Sequence, residues 1–310
     1  MHFIQYKIQM LVSIIIATYN CSLYIEDALN SVFNQTYKNV ELIVTDDCST
    51  DDSVKVATNW IESHRGRFQR VIQTQTKVNS GVTANYNAGL REAKGEWVKC
   101  LDGDDILPNN AIDIYVQRAK SSPDINLWYA NEQLFKLKTK LNHINYTTLP
   151  NSSAKKQMIY LLNRRLLGIC TATNFIHKDT FLHQGGFDSR FPMYQDGSPF
   201  LQSLANGNRI GVINETLLYK RLNPYSLMHT ANPIMVENIR ECHFYYSRYY
   251  IKYCMPLHYY NSWLTHYLST HNNSSKSQKC FGYFLRCFDL VNLLRKCFPN
   301  NQSIKHNYIL

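Results

Sequence analysis

The sequence predicts an α/β protein: a doubly wound, mostly parallel sheet carrying a C-terminal helical extension. Three observations lead to it. Residues 11–17, Leu-Val-Ser-Ile-Ile-Ile-Ala, form a nearly unbroken β-branched run, the pattern of a parallel strand buried on both faces. Strand-like and helix-like segments then alternate through about residue 130. Polar or acidic turns follow strands at 18–20, 46–47 and 102–105, which sets all three on the carboxyl edge where such sheets bind ligands.

In chain order, Leu23, Ile25, Ala28, Leu29, Val32 and Phe33 recur at helical spacing within 22–35, with Ser22 as a candidate cap. A second strand spans 40–45 and ends in an acidic turn. A helix through about His64, a strand near 70–73 and a helix over 82–94 follow. The run 96–101 reads as a strand cut off by the Gly103 and Pro108 punctuation. Beyond it we expect a helix at 111–119, a strand at 124–130, a mobile loop over 136–153 and a strand at 166–176. Closing strands are expected at 209–212 and 216–222. From residue 232 the character changes: aromatic and basic residues interleave at 243–253 and recur at helical spacing between Phe281 and Phe298. These C-terminal helices either pack on the domain or lie in a membrane interface. The expected division is therefore residues 1–231 and 232–310, the first with halves at 1–110 and 111–231.

Composition narrows the classes. Of 310 residues, 45% are hydrophobic and 18% charged, which suits a globular core, and the formal net charge of +10 attracts polyanions. Nine scattered cysteines without a Cys-x-x-Cys pair argue against a disulfide framework or zinc cluster and suit a reducing cytosol. Gln5, Lys7 and Gln9 interrupt the apolar N-terminus, so no secretory signal is expected there. No run approaches the ~20 apolar residues that span a bilayer. The expectation is a cytoplasmic protein, soluble or peripheral at the membrane face.

Chemistry concentrates at Asp102-Gly103-Asp104-Asp105, three carboxylates in four positions. Hard ions such as Mg²⁺ or Mn²⁺ take oxygen ligands and share carboxylates with substrate phosphates, so a strand-end Asp-x-Asp suits a diphosphate anchor. On these residues alone, a solvated acidic turn with Asp105 capping the next helix fits equally well. The turn after the first strand lacks glycine, and no Gly-x-x-x-x-Gly-Lys loop occurs. A nucleotide must then be held by side chains and a metal.

The stretches 12–20, 41–51, Asn87-x-Gly89 with 93–96, and 101–105, in this order and spacing, resemble the family 2 glycosyltransferases. That family has the GT-A fold and transfers sugars from nucleotide diphosphates; the match covers roughly 11–110 and continues more weakly to about 230. The resemblance makes 1–110 the nucleotide-sugar half and 111–231 the acceptor half. It implies a nucleotide-sugar site at Ala17, Thr18, Tyr19, Asn20, Asp47, Asn87, Asp102 and Gly103. Tyr19 would lie against the base and Asp47 would accept a uracil-like imide hydrogen. Asp46 reads as a structural turn residue. By the same resemblance Asp104 is the direct metal ligand, with Asp102 beside the donor ribose and as second ligand, and Asp105 keeps a capping role.

Asp196 matches the family's general base, which deprotonates the acceptor hydroxyl, although Gln195 replaces the usual Glu before it. On local sequence alone Asp196 also reads as a helix N-cap. Lys220, Arg221 or His229 would contact the leaving diphosphate, while Lys220 reads equally well as a surface charge. A second departure is Asn85-Tyr86-Asn87, where the family often has Ala-Arg-Asn; Arg91 and Lys94 on that helix read as solvated charges. The function implied is an inverting transferase dependent on Mn²⁺ or Mg²⁺. It would move a sugar from a UDP-sugar to a saccharide hydroxyl, in a β-linkage, within bacterial surface polysaccharide assembly. The acceptor would be lipid-linked, with peripheral inner-membrane contact through the C-terminal helices. The rivals are a noncatalytic carbohydrate or nucleotide-sugar binding protein of the same fold and, motivated by charge alone, a nucleic-acid binder; no nucleic-acid partner is expected.

Overall fold

The computed structural model describes residues 9–136, 139–144, 149–164 and 169–223, with 237, 238, 241, 242 and 245 beyond them. The expected C-terminal helices and the 231/232 boundary lie outside the described residues, as does His229.

Four strands, β1 (Val12–Thr18), β2 (Val40–Asp46), β3 (Val71–Gln75) and β4 (Trp97–Asp102), run parallel in the order β3-β2-β1-β4. Helices α1 (Ile25–Phe33), α2 (Ser53–His64) and α3 (Val82–Glu92) connect them. Register levels their ends: Ala17 pairs with both Thr45 and Asp102, and Thr18 with Asp46. The predicted alternation through residue 121 thus appears within two or three residues at each end.

The second half mixes directions. α4 (Ala111–Ser121) leads into β5 (Leu127–Lys136), and β6 (Thr139–Ile144) returns antiparallel to it. After α5 (Ala154–Arg164), β7 (Asn174–His177) inserts antiparallel between β4 and β5. α6 (Lys178–His183) and α7 (Ser198–Ala205) precede β8 (Ile210–Arg221), which pairs parallel with β5. Three expectations change here. The stretch 136–153, expected as a mobile loop, holds β6, whose main-chain ladder to β5 supplies the order that weak apolar alternation did not reveal. The two expected closing strands are one strand, because the pairing with β5 resumes on both sides of the exposed bulge at Asn214 and Glu215 and of a second register shift at Leu217. In place of a long strand at 166–176, a 3-10 turn at Thr171–Thr173 precedes the short β7.

The sheet is covered on both faces, as the unbroken β1 run requires. Ile14 and Ile16 join a core with Leu29, Trp60, Ile112 and Tyr115, so α1, α2 and α4 close one face. Ile15 and Ala17 join Tyr86, Leu90, Met158 and Leu201, so α3, α5 and α7 close the other. Burying each such isoleucine contributes about 1.5–3 kcal/mol. The sheet's carboxyl edge stays open, and there the site forms.

Candidate active site

A cavity of about 420 Å³ opens at that edge. Its wall brings together Ala17, Thr18, Tyr19, Asn20, Asp47, Asp102, Gly103, Asp104, Asp196 and Arg221. Asn87 is not on it: its amide donates to the Phe187 carbonyl (2.8 Å) and its oxygen accepts from the Phe187 N–H (3.0 Å). That residue ties α3 to the 185–188 turn. Asn85 stands on the wall instead; its amide donates to Thr18 O (3.1 Å), while its buried oxygen has no partner.

The turns after β1 and β2 are stitched together. Asn20, at φ 48°, accepts from the Thr50 N–H (2.9 Å) and donates its own N–H to Ser49 Oγ (2.8 Å). Asp46 accepts from Thr18, Ser49 and Gln75, which confirms its structural role. Tyr19 is left 44% exposed, an aromatic face open at the cavity. Asp47 is buried and accepts from the Thr76 hydroxyl (3.0 Å), the Ser80 N–H (2.9 Å) and the Gly81 N–H (2.7 Å). Gly81 has φ +88°, and a Cβ there would sit 2.6 Å from the Pro192 carbonyl, so only glycine brings that loop so close.

Gly103 has a comparable constraint, since a Cβ would fall 2.8 Å from Cys21 Sγ. With the turn held so tightly, its three carboxylates share one small volume. Burial pushes Asp102 up to about 6, where Lys220 and a hydrogen bond from the Tyr86 hydroxyl oppose the shift. Burial also raises Asp104 and, reinforced by Asp104 and Asp102, raises Asp105 well above the carboxylate range. Tyr86, at the second departure from the family pattern named above, is thus spent on Asp102.

Asp105 does not cap the following helix, whose N-cap is Asn110. It is buried, with Oδ1 accepting from the Arg221 N–H (2.9 Å) and Oδ2 unpartnered. One ligand atom from each of Asp102, Asp105 and Cys170 lies within 4.8 Å of the others; Asp104 lies outside that set, on the cavity wall. An orphaned carboxyl oxygen and carboxyls raised by mutual burial fit a hard divalent ion, which relieves both conditions.

On the opposite half of the chain, the Thr171 N–H donates to Asp196 Oδ1 (2.8 Å), and Gln195 Nε2 donates to the same oxygen (3.3 Å). Asp196 Oδ2 has no partner among the described residues. Helix α7 begins at Ser198 with Gly197 as N-cap and no side-chain cap, so Asp196 does not serve as one.

Lys220 is not a surface charge. Its ammonium is 3.1 Å from Cys170 Sγ, and the residue lines the cavity. Burial alone would depress it, yet Cys170 and the carboxylates of Glu132, Asp196 and Asp105 hold it well above the ordinary lysine value. Because burial pushes the Cys170 thiol and the Asp105 carboxyl up toward their neutral forms, Glu132 and Asp196 are the partners that count. Arg221 is clamped between the Tyr24 and Phe135 rings, 4.7 and 4.6 Å away, and donates to Asp27 (2.8 Å) and the Asp104 carbonyl (2.9 Å). Cys170 and Asn223 were missed from sequence because no pattern around them signals chemistry, and Asn85 was read only as part of a departure from the family pattern. Gly81 was missed although the turn Asn79-Ser80-Gly81 was a usable cue.

The model of the glycosyl transferase family 2 matches residues 13–181. The chain belongs to glycosyltransferase family 2. As a glycosyltransferase, it is 31% identical over 175 residues to an uncharacterized glycosyltransferase of Haemophilus influenzae, covering 54% of this chain and 68% of that one. It is 40% identical over 95 residues to an Escherichia coli UDP-Glc:alpha-D-GlcNAc-diphosphoundecaprenol beta-1,3-glucosyltransferase, WfaP; that match covers 31% of this chain and 36% of the relative. The chain thus spans about a third of the latter's length. The crystal structure of Staphylococcus aureus TarS residues 1–349 with UDP-GlcNAc superposes with a TM-score of 0.64 at 16% identity, covering 92% of this glycosyltransferase and 81% of that chain. The fold is GT-A. No helix among the described residues is long and apolar enough to cross a membrane.

Proposed function

We propose that this glycosyltransferase moves a sugar from a UDP-sugar to a saccharide hydroxyl with inversion, forming a β-linkage in bacterial surface polysaccharide such as O-antigen, capsule or lipooligosaccharide. One observation carries the reading: Asp196, the acidic turn, Tyr19 and Asp47 share a single cavity. Asp196 Oδ2 takes the acceptor hydroxyl's proton as that oxygen attacks the anomeric carbon. The bond from that carbon to the diphosphate oxygen breaks, and UDP leaves with the electron pair. Direct displacement inverts the centre. The Lys220 ammonium stands beside the departing diphosphate and stabilises the developing charge.

Asp104 and Asp102 would hold Mn²⁺ or Mg²⁺, with Asp105 behind them. Such an ion, when bound, neutralises diphosphate charge as a Lewis acid. Tyr19 offers its ring to the base and Asp47 its remaining acceptor position to an imide N–H. The lipid-diphosphate acceptor named for the Escherichia coli relative, together with the net charge of +10, supports a lipid-linked acceptor at the membrane face. Contact through residues 232–310 belongs to the same proposal.

The test is a screen of UDP-, GDP- and dTDP-sugars with lipid-linked and free saccharide acceptors, with Mn²⁺ or with chelator. We expect transfer from a UDP-sugar alone, loss on chelation, and a product anomer opposite to the donor's by NMR. Transfer limited to GDP-sugars overturns the role of Asp47, transfer limited to dTDP-sugars, whose thymine keeps the imide N–H, overturns the UDP donor alone, and a retained anomer overturns the role of Asp196.

A further inference from the structure

Lys99 is the one lysine in the core among the described residues. It lies in the middle of β4, fully buried, on the face shared with Trp97 and Leu101. Among the described residues no carboxylate is at ion-pair distance from it. Its ammonium donates to three main-chain carbonyls: Cys100 (3.0 Å), Asn174 (3.2 Å) and Ala172. The Tyr115 ring lies beneath it, 5.2 Å from the nitrogen, and the Tyr115 hydroxyl donates to the Thr173 carbonyl (2.6 Å).

A lysine in this setting is costly. Burial depresses its ammonium to about 8, and an apolar residue of similar length would fill the space without that penalty. What the cost secures is visible in the next residues. The carbonyls of 172, 173 and 174 all turn toward Lys99 and Tyr115, which pins the 3-10 turn at Thr171–Thr173 from below. With its carbonyls fixed, the turn presents its first N–H, that of Thr171, to Asp196 Oδ1 at 2.8 Å. Oδ1 is occupied and Oδ2 is left for the acceptor.

We propose that Lys99 is a positioning residue for sugar transfer: with Tyr115 it locks the 171–174 turn so that the Thr171 N–H orients the Asp196 carboxylate. The inference rests on the reading of Asp196 as the base. Lys99 touches no substrate and acts through the backbone amide of Thr171, four residues before its own strand partner Phe175.

A double-mutant cycle with a donor-binding readout tests it. In the native chain, Lys99→Met is expected to lower kcat by about tenfold while the UDP dissociation constant and donor KM stay within about twofold. In an Asp196→Asn background the same change is expected to cost less than about twofold, because the base it orients is gone. A second variant avoids the risk that Lys99→Met fails to fold. Thr171→Pro deletes the N–H that reaches Asp196, together with a threonine hydroxyl that makes no hydrogen bond among the described residues; Cys170, at φ −65° and ψ 129°, already has the backbone a residue before proline requires, and the first position of a helical turn accepts proline. It should lower kcat by about tenfold, again only when Asp196 is present. Equal losses in both backgrounds, or a rise in donor KM with kcat unchanged, overturn the inference and leave Asp196 as base. Full transfer by Asp196→Asn alone overturns the reading of the base, and the inference with it.

Discussion

The two halves of this glycosyltransferase build their shares of the cavity differently. The first, the proposed donor half, contributes turns that continue its own parallel strands: 18–20 from β1, 46–47 from β2 and 102–105 from β4, leveled by register and fastened by bonds such as Asn20 to Thr50. The second, the proposed acceptor half, contributes single side chains from places far apart in sequence. Cys170 precedes a 3-10 turn, Asp196 precedes α7, and Lys220 stands next to last in β8. A site can therefore be half local and half topological. Changes in the donor half should affect what binds, and changes in the acceptor half what reacts.

The sharpest way to break this contrast is Asp196→Asn. It should lower kcat by about 10³-fold while UDP affinity, read by calorimetry, stays within about twofold; a matching loss of affinity would erase the division. Lys220→Met should follow with a kcat loss of about 10²-fold, because it removes a cation beside the leaving group. Lys220→Arg should recover part of it.

Stability offers a third test, on the frame between the halves. Lys99 has a folded-state value near 8, below its ordinary 10.5, so the folded protein releases this proton before the unfolded chain does. The penalty for burying the ammonium is present below pH 8 and fades as pH rises toward 10.5. Relative to Lys99→Met, the native chain should gain ~3 kcal/mol of unfolding free energy across that window in urea titrations. A flat difference would mean that folding leaves the Lys99 ammonium at its ordinary value. The smallest effect falls on the donor side: Gly81→Ala meets the Pro192 carbonyl at φ +88° and should cost ~1–3 kcal/mol, with weaker UDP binding and little change in kcat at saturation.

What the sequence revealed follows the same contrast. The donor half was legible because buried parallel strands are written as apolar runs and their turns as polar punctuation, so the Asp102–Asp105 cluster and Asp47 were visible before any coordinates. Asp105 was misread as a cap, since nothing local tells a capping aspartate from one tied to Arg221, well over a hundred residues away. Lys220 looked like a surface charge because a lysine near a strand end usually is one. Its burial depends on β8 pairing with β5 and on Cys170 arriving from another turn. Lys99 was passed over as one polar residue in an apolar strand, although a charge in a run otherwise fit for burial was itself the signal.

The hold on Asp47 has a consequence for nucleotide choice. A carboxylate offers about four acceptor positions, and the Thr76 hydroxyl, the Gly81 N–H and the Ser80 N–H, shared between both oxygens, crowd them. The carboxylate is not free to rotate and offer another face. On the proposed reading the residue works as a keyhole rather than a magnet: a base gains the bond only by bringing a donor along the line that these three donors leave open. The bow of the key is cut by residues 76–81, which also set Asn79 and Gly81 on the cavity wall, so exchanging that loop should retune which nucleotide enters.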